Sequence, residues 1–202
     1  MALFEQDYFT KDSNYKGVKD YRRKKYDILA EELSEILYLN KSNIIIDYGC
    51  ATGVLVKELK KYCCCYGTDI STWAINYGIA NYALEDSLFH YYKSLLSLPV
   101  DYVLLLDVLE HCPTEELKDI LTLIQHNKTI ENIVVRIPVS SIEGNDFVLD
   151  ISKNDPTHIQ CHSKDFWINL FKSYNLKVVK FLSNNQIYDT KGVLACILKK
   201  IE

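Results

Sequence analysis

The sequence predicts an α/β fold, built on a mostly parallel sheet with an antiparallel end. Three observations carry this expectation. Short apolar runs, above all Ile44-Ile45-Ile46 and Val103-Leu104-Leu105-Leu106, read as strands buried on both faces. They alternate with helix-patterned segments, as parallel strands joined by crossover helices require. The chain then finishes on two strand-like runs joined by a polar loop.

Taken in order, residues 1–17 are polar and aromatic without a clear period and end at Gly17. They read as a flexible or ligand-capping arm, and residues 1–25 together as an arm or lid. From Val18 to Leu39 the positions Tyr26, Leu29, Ala30, Leu33, Ile36 and Leu37 follow helical spacing. Asn43 to Tyr48 is the first strand, and Val54 to Lys61 the helix after it. A second strand covers Tyr62–Thr68, and Ser71 caps a helix through about Ala83. Leu88–Tyr92 is a short strand and Asp101–Asp107 a longer one. Pro113-Thr114 opens a helix with Glu115 and Glu116 in its first turn, where the helix dipole favours acids. Ile133–Ile137 is a strand stopped by Pro138. Residues 138–162 carry few periodic signals, and a connection of that length reads as a substrate loop. Ser163 caps a helix whose Trp167 and Phe171 read as core, and Leu176–Leu182 and Val193–Leu198 close the sheet. We find no repeat and no linker, so 1–202 reads as one domain.

Composition narrows the function. The 202 residues are 48% hydrophobic, enough for a full core, and the net charge of −4 argues against a broad nucleic-acid footprint. The cluster Arg22-Arg23-Lys24-Lys25 reads as a solvated helix face, with a phosphate or carboxylate contact as the sharper alternative. Seven cysteines, including Cys63-Cys64-Cys65, show no disulfide framework and point to free thiols in a reducing compartment. With no signal-peptide pattern and no apolar run of membrane length, the expected location is cytoplasmic. Oligomeric state has no signal.

The chemistry concentrates at two strand ends. Gly49 and Gly53 follow the first strand, where residues without a Cβ let the backbone turn and approach a ligand. Asp69 ends the second strand, twenty residues after Gly49. An acid there reaches a ribose hydroxyl pair, because one carboxylate accepts two hydrogen bonds side by side. The Gly-x-x-x-Gly spacing departs from the Gly-x-Gly-x-x-Gly of dinucleotide sites, and no Gly-Lys-Ser/Thr loop is present. A nucleoside without a pyrophosphate fits. His158 and His162, four apart with Cys161 between them, invite a metal. No second Cys/His group stands at a recognised spacing, so no metal is predicted.

At this point the chain resembles the class I S-adenosylmethionine-dependent methyltransferases. Ile45-Ile46-Asp47-Tyr48-Gly49-Cys50-Ala51-Thr52-Gly53 resembles their first motif, and Gly67-Thr68-Asp69-Ile70-Ser71 the acidic end of their second strand. Asp107-Val108-Leu109-Glu110-His111 is similar to the fourth-strand end of the small-molecule branch, the ubiquinone-biosynthesis-type and type 11 and 12 enzymes. Asp155-Pro156-Thr157-His158-Ile159-Gln160-Cys161-His162-Ser163 resembles that branch's His-containing loop. The resemblance spans about residues 18–200. It implies a Rossmann-like sheet of seven strands, the last inserted antiparallel, with helices on both faces. It also implies S-adenosylmethionine as cofactor, S-adenosylhomocysteine as product and a small-molecule methyl acceptor.

Carried over by position, Gly49, Cys50, Ala51 and Gly53 cradle the methionine moiety and Asp47 orders that loop. Asp69 takes the ribose, with Ile70 against adenine. Leu106 and Asp107 lie beneath the methionine part and His111 near the mouth. Where many relatives carry an acid that reads adenine, this chain has Lys93-Ser94-Leu95-Leu96, which leaves Ser94 and backbone groups for that contact. For a hydroxyl acceptor, His158 and then His111 are the candidate bases. Two other classes stay open: a nicotinamide-dependent oxidoreductase, opposed by the glycine spacing, and a non-catalytic nucleoside- or partner-binding protein. A tRNA or protein acceptor is the lesser option, given the acidic balance and short chain.

Overall fold

The computed structural model describes residues 4–10, 20–91 and 93–201, with the backbone alone for residues 20–24. Arg22, Arg23 and Lys24 of the basic cluster, and residues 11–19 of the arm, therefore lie outside the described side chains. The chain divides into two compact units, Met1–Leu95 and Leu96–Glu202.

The first unit runs α1 (Gln6–Thr10), α2 (Asp20–Leu37), β1 (Ile44–Tyr48), α3 (Val54–Leu59), β2 (Cys64–Asp69), α4 (Thr72–Tyr82) and β3 (Leu88–His90). The β1 strand pairs parallel with β2 from Ile44↔Cys64 to Tyr48↔Thr68, and β2 pairs parallel with β3. Ile45 and Ile46 are fully buried, as a run apolar on both faces requires. The Ser71 hydroxyl accepts from Ala74 N–H, so α4 starts at its expected cap. One expectation fails in part: residues 6–10 of the arm form a helix. Phe9 is buried there, its ring stacked 5.6 Å from Trp73 of α4. A five-residue helix shows too little periodicity to be read from sequence, and it is held by this aromatic contact instead.

The second unit runs β4 (Tyr102–Leu106), α5 (Thr114–His126), β5 (Asn132–Pro138), α6 (Asp150–Lys153), α7 (Lys164–Ser173), β6 (Leu176–Phe181) and β7 (Val193–Lys200). The β4 and β5 strands pair parallel, whereas β7 runs antiparallel to both β5 and β6. Trp167 and Phe171 are fully buried, as their helical spacing predicts, and the Ser163 hydroxyl caps α7 at Phe166 N–H. The 138–162 connection contains α6 and bridges from Ser140 to Phe147 and Ser163, so it has more structure than its pattern suggests. Across the described residues, seven strands form a sheet of order β3-β2-β1-β4-β5-β7-β6. This is the Rossmann-like arrangement with an inserted antiparallel last strand.

Candidate functional site

In the first unit, the loop after β1 alternates into the left-handed region. Gly49 has φ +79°, Ala51 +50° and Gly53 +74°. This geometry turns successive N–H groups toward fixed partners. Gly49 and Cys50 N–H both donate to the Thr68 carbonyl, at 2.8 and 3.0 Å. Ala51 N–H donates to Asp69 Oδ2 at 2.8 Å, and Ser71 N–H donates to Asp69 Oδ1 at 2.8 Å. Asp69 thus ties the turn after β1 to the turn after β2.

An ionised carboxylate has about four acceptor sites, so Asp69 keeps acceptor capacity for a ligand hydroxyl. Burial pushes the Asp69 carboxyl up, against the N–H bonds from Ser71 and Ala51 and the nearby His90. Asp47 is buried on β1, opposite Gly67 in register. Ile70, beside Asp69, is 40% exposed. Ser94 is exposed on a short 3-10 turn, Lys93–Ser97. Cys50 is buried, and its thiol is held protonated by burial and by the charges of Asp69 and Asp47, so it fills the turn rather than attacking.

Two residues that shape this loop were not assigned from sequence. A Cβ on Gly78 would lie 2.3 Å from the Thr52 carbonyl oxygen, and one on Gly67 would lie 2.7 Å from Cys50 Sγ. Gly78 thus lets α4 approach the loop, and Gly67 lets β2 approach it. The available signal was a glycine inside a helix and another inside a strand, each of which marks close backbone approach.

In the second unit, β4 ends at Leu106, and Asp107 turns into the left-handed region at φ +53°. Arg136 of β5 holds it: Nε donates to both carboxylate oxygens at 2.9 Å and Nη2 donates to Oδ2 at 2.5 Å. Beyond it the Leu109–His111 turn receives the late loop. Ile159 and Gln160 N–H donate to the Glu110 carbonyl at 2.9 and 3.0 Å, and Gln160 Nε2 donates to the Cys112 carbonyl at 3.0 Å. These bonds set His158 against His111, with ring centroids 4.6 Å apart.

The tautomers follow from the partners. Thr157 Oγ1 gives its only proton to Asp155 Oδ1 at 2.5 Å, so toward His111 Nδ1 it acts as an acceptor at 2.9 Å. The Thr157 carbonyl, 3.1 Å from the same nitrogen, is also an acceptor. His111 Nδ1 therefore carries the proton and Nε2 the lone pair. His158 Nδ1 faces the Ser152 carbonyl at 3.0 Å and is assigned in the same way. Burial, and the neighbouring His158, push the His111 pKa down to about 4, which keeps it neutral near pH 7. Burial tends to raise Asp155, yet the hydroxyl and N–H bonds from Thr157, with the electrostatic influence of nearby His158 and His111, hold it below the usual range. Glu110 is buried, 1% exposed, and its Oε2 has no hydrogen-bond partner. His162 belongs to other contacts: Glu143 at 2.6 Å, Gln160 at 3.1 Å and the Phe166 ring. The structure thus joins His158 to His111 and not to His162.

Glycine turn and acid at the ends of neighbouring parallel strands define an α/β protein with its turns at the carboxyl edge of the sheet, the edge where open α/β sheets bind ligands. The match of residues 20–180 to the methyltransferase domain family goes further, and the chain belongs to that family. No curated protein matches it in sequence. Among solved structures it is similar to a SAM-dependent methyltransferase from Archaeoglobus fulgidus. That match has 18% identity, covers 87% of this chain and 94% of that one, and has a TM-score of 0.62. Magnesium protoporphyrin IX methyltransferase from Synechocystis, solved with bound SAH, shares 15% identity over 89% and 83% of the two chains, TM-score 0.62. The methyltransferase domain of a bacterial Hen1 shares 15% over 91% and 100%, TM-score 0.62. At these identities the structures establish the fold.

Proposed function

We propose that this methyltransferase moves a methyl group from S-adenosylmethionine to an oxygen of a small-molecule acceptor. The observation that carries the cofactor half is the Asp69 clamp. It presents a carboxylate with remaining acceptor capacity beside a loop whose turns rely on Gly49, Ala51 and Gly53. A ribose diol fits that carboxylate, and exposed Ile70 offers an apolar face for adenine. Gly49, Cys50, Ala51 and Gly53 are assigned to the methionine moiety, with Asp47 supporting the loop and Ser94 on the adenine side. Leu106 and Asp107 of the second unit carry the same assignment to the cofactor.

The bound cofactor supplies an activated methyl group on a sulfonium, so the protein contributes chiefly alignment and a dry site. Alignment of two reactants can supply about 7–11 kcal/mol of barrier reduction. For an oxygen acceptor a hydroxyl proton must leave as the new carbon–oxygen bond forms and the carbon–sulfur pair returns to sulfur. His158 takes that proton at Nε2 and passes it to solvent, with His111 beside it. The net charge of −4 supports a small acceptor over a polyanion. Seven free thiols support a reducing, cytoplasmic setting, and no described helix is long and apolar enough to cross a membrane.

Calorimetric titration with S-adenosylhomocysteine and with NAD tests the cofactor, and binding of NAD alone would overturn the reading. His158→Ala should lower turnover at least tenfold while S-adenosylhomocysteine affinity stays within about twofold. Methyl label appearing on RNA rather than on hydroxylated small molecules would overturn the acceptor class.

A further inference from the structure

We infer that Glu110, His111 and His158 form a binding site for one divalent transition-metal cation, its remaining positions filled by water or by the acceptor oxygen. One carboxylate oxygen and one ring nitrogen from each histidine lie within 4.8 Å of one another. Ligand atoms stand about 2.0–2.2 Å from such a cation, so closing the set needs side-chain shifts of about 1 Å. Both imidazoles are already oriented for the task. Each commits Nδ1–H to a backbone carbonyl, of Thr157 or Ser152, which leaves Nε2 as the donor. That is the supporting pattern metal-bound histidines use.

Glu110 supplies the independent observation. A buried carboxylate oxygen without a hydrogen-bond partner is costly, and a cation would satisfy it. Of the neighbouring acids, Asp155 has Oδ2 3.7 Å from His158 Nε2, a contact that a cation on that nitrogen would replace or share. Asp107 is held by Arg136, and Asp155 accepts from Thr157. Two imidazoles and one carboxylate suit Mn²⁺, Fe²⁺, Co²⁺, Ni²⁺ or Zn²⁺ rather than Mg²⁺ or Ca²⁺, which prefer oxygen donors. Three protein ligands leave positions open, as in sites that also take water or substrate. The inference deepens the proposed function and rests on it only for the acceptor. With a cation in place, His158 Nε2 would be a ligand rather than the base, and the coordinated hydroxyl, made more acidic, would give its proton to solvent water.

The test titrates the chelator-stripped full chain with Co²⁺ alone, read by calorimetry and by visible absorption. One Co²⁺ per chain is expected, weakened about 10- to 100-fold or more in Glu110→Gln, His111→Ala and His158→Ala. Substoichiometric binding, or affinity unchanged in all three variants, overturns the site. Mg²⁺ binding as tightly as Co²⁺ overturns the metal class. Each variant's urea midpoint is measured alongside, with His111→Asn and His158→Asn replacing any alanine variant that does not fold. Co²⁺ binding without S-adenosylhomocysteine binding would sink the methyl-transfer reading and leave the cation site. The reverse result would do the opposite.

Discussion

Gly78→Ala probes how α4 supports the ligand loop. The added Cβ would meet the Thr52 carbonyl oxygen at 2.3 Å and Leu88 Cδ1 at 2.6 Å, where real Cβ contacts essentially never fall below 3.0 Å. Leu88 can rotate, but Thr52 lies between Ala51, bound to Asp69, and Gly53, bound to Cys50 O. Either α4 or the loop must therefore give by about 1 Å, a strain of the kind that costs about 1–3 kcal/mol. The higher helix propensity of alanine returns about 1 kcal/mol. The net expectation is a loss of up to about 2 kcal/mol in urea unfolding. If the loop is what moves, S-adenosylhomocysteine affinity should also fall about tenfold, the equivalent of about 1.4 kcal/mol. A variant more stable than wild type by about 0.5 kcal/mol or more, with unchanged affinity, would refute the close approach.

Two further substitutions test neighbouring features. Ala51→Gly should relieve the left-handed strain at φ +50°, worth about 1–2 kcal/mol, against about 0.4–1 kcal/mol of added unfolded-state freedom. A higher urea midpoint is expected, and a lower one would show that Ala51 is not strained. Phe9→Ala should cost about 3 kcal/mol if α1 belongs to the cooperative fold, and should change the fluorescence of Trp73, whose ring it stacks on. An unchanged midpoint together with unchanged fluorescence would return residues 4–10 to the role of a free arm.

What the sequence made legible followed from periodicity and punctuation. The β1 and β4 strands announced themselves as apolar runs because both of their faces are buried, and Ser71 and Ser163 marked helix starts through their own capping bonds. The Asp69 position could be read because strand spacing sets it. Contacts made across long separations were not legible. Thr157 orients His111 from 46 residues away, and Arg136 reaches Asp107 across 29. Such pairs have no local period, so His158 was sought beside His162, its neighbour in sequence, although the chain folds it against His111. Glu110 was read only as part of a motif, and its burial emerges from the loop bonds to its own carbonyl. Phe9 was hidden for a different reason, since one aromatic stack holds a helix too short to show amphipathicity.

The Asp69 clamp has a consequence for how cofactor binding and loop order depend on each other. Both carboxylate oxygens already accept a backbone N–H, one from each turn, so a ribose diol can use only the acceptor sites that remain. The two turns and the diol are then satisfied by the same charge. Anything that protonates or removes that charge loosens the loop as well as the proposed ribose contact. The carboxyl is already pushed up by burial, and the N–H groups of Ser71 and Ala51 oppose that push. Loop order helps keep Asp69 ionised, and an ionised Asp69 keeps the loop in order. If the proposed ribose contact holds, binding and structural contacts share one carboxylate at this strand end, and the ligand would complete a hydrogen-bond set that the turns begin.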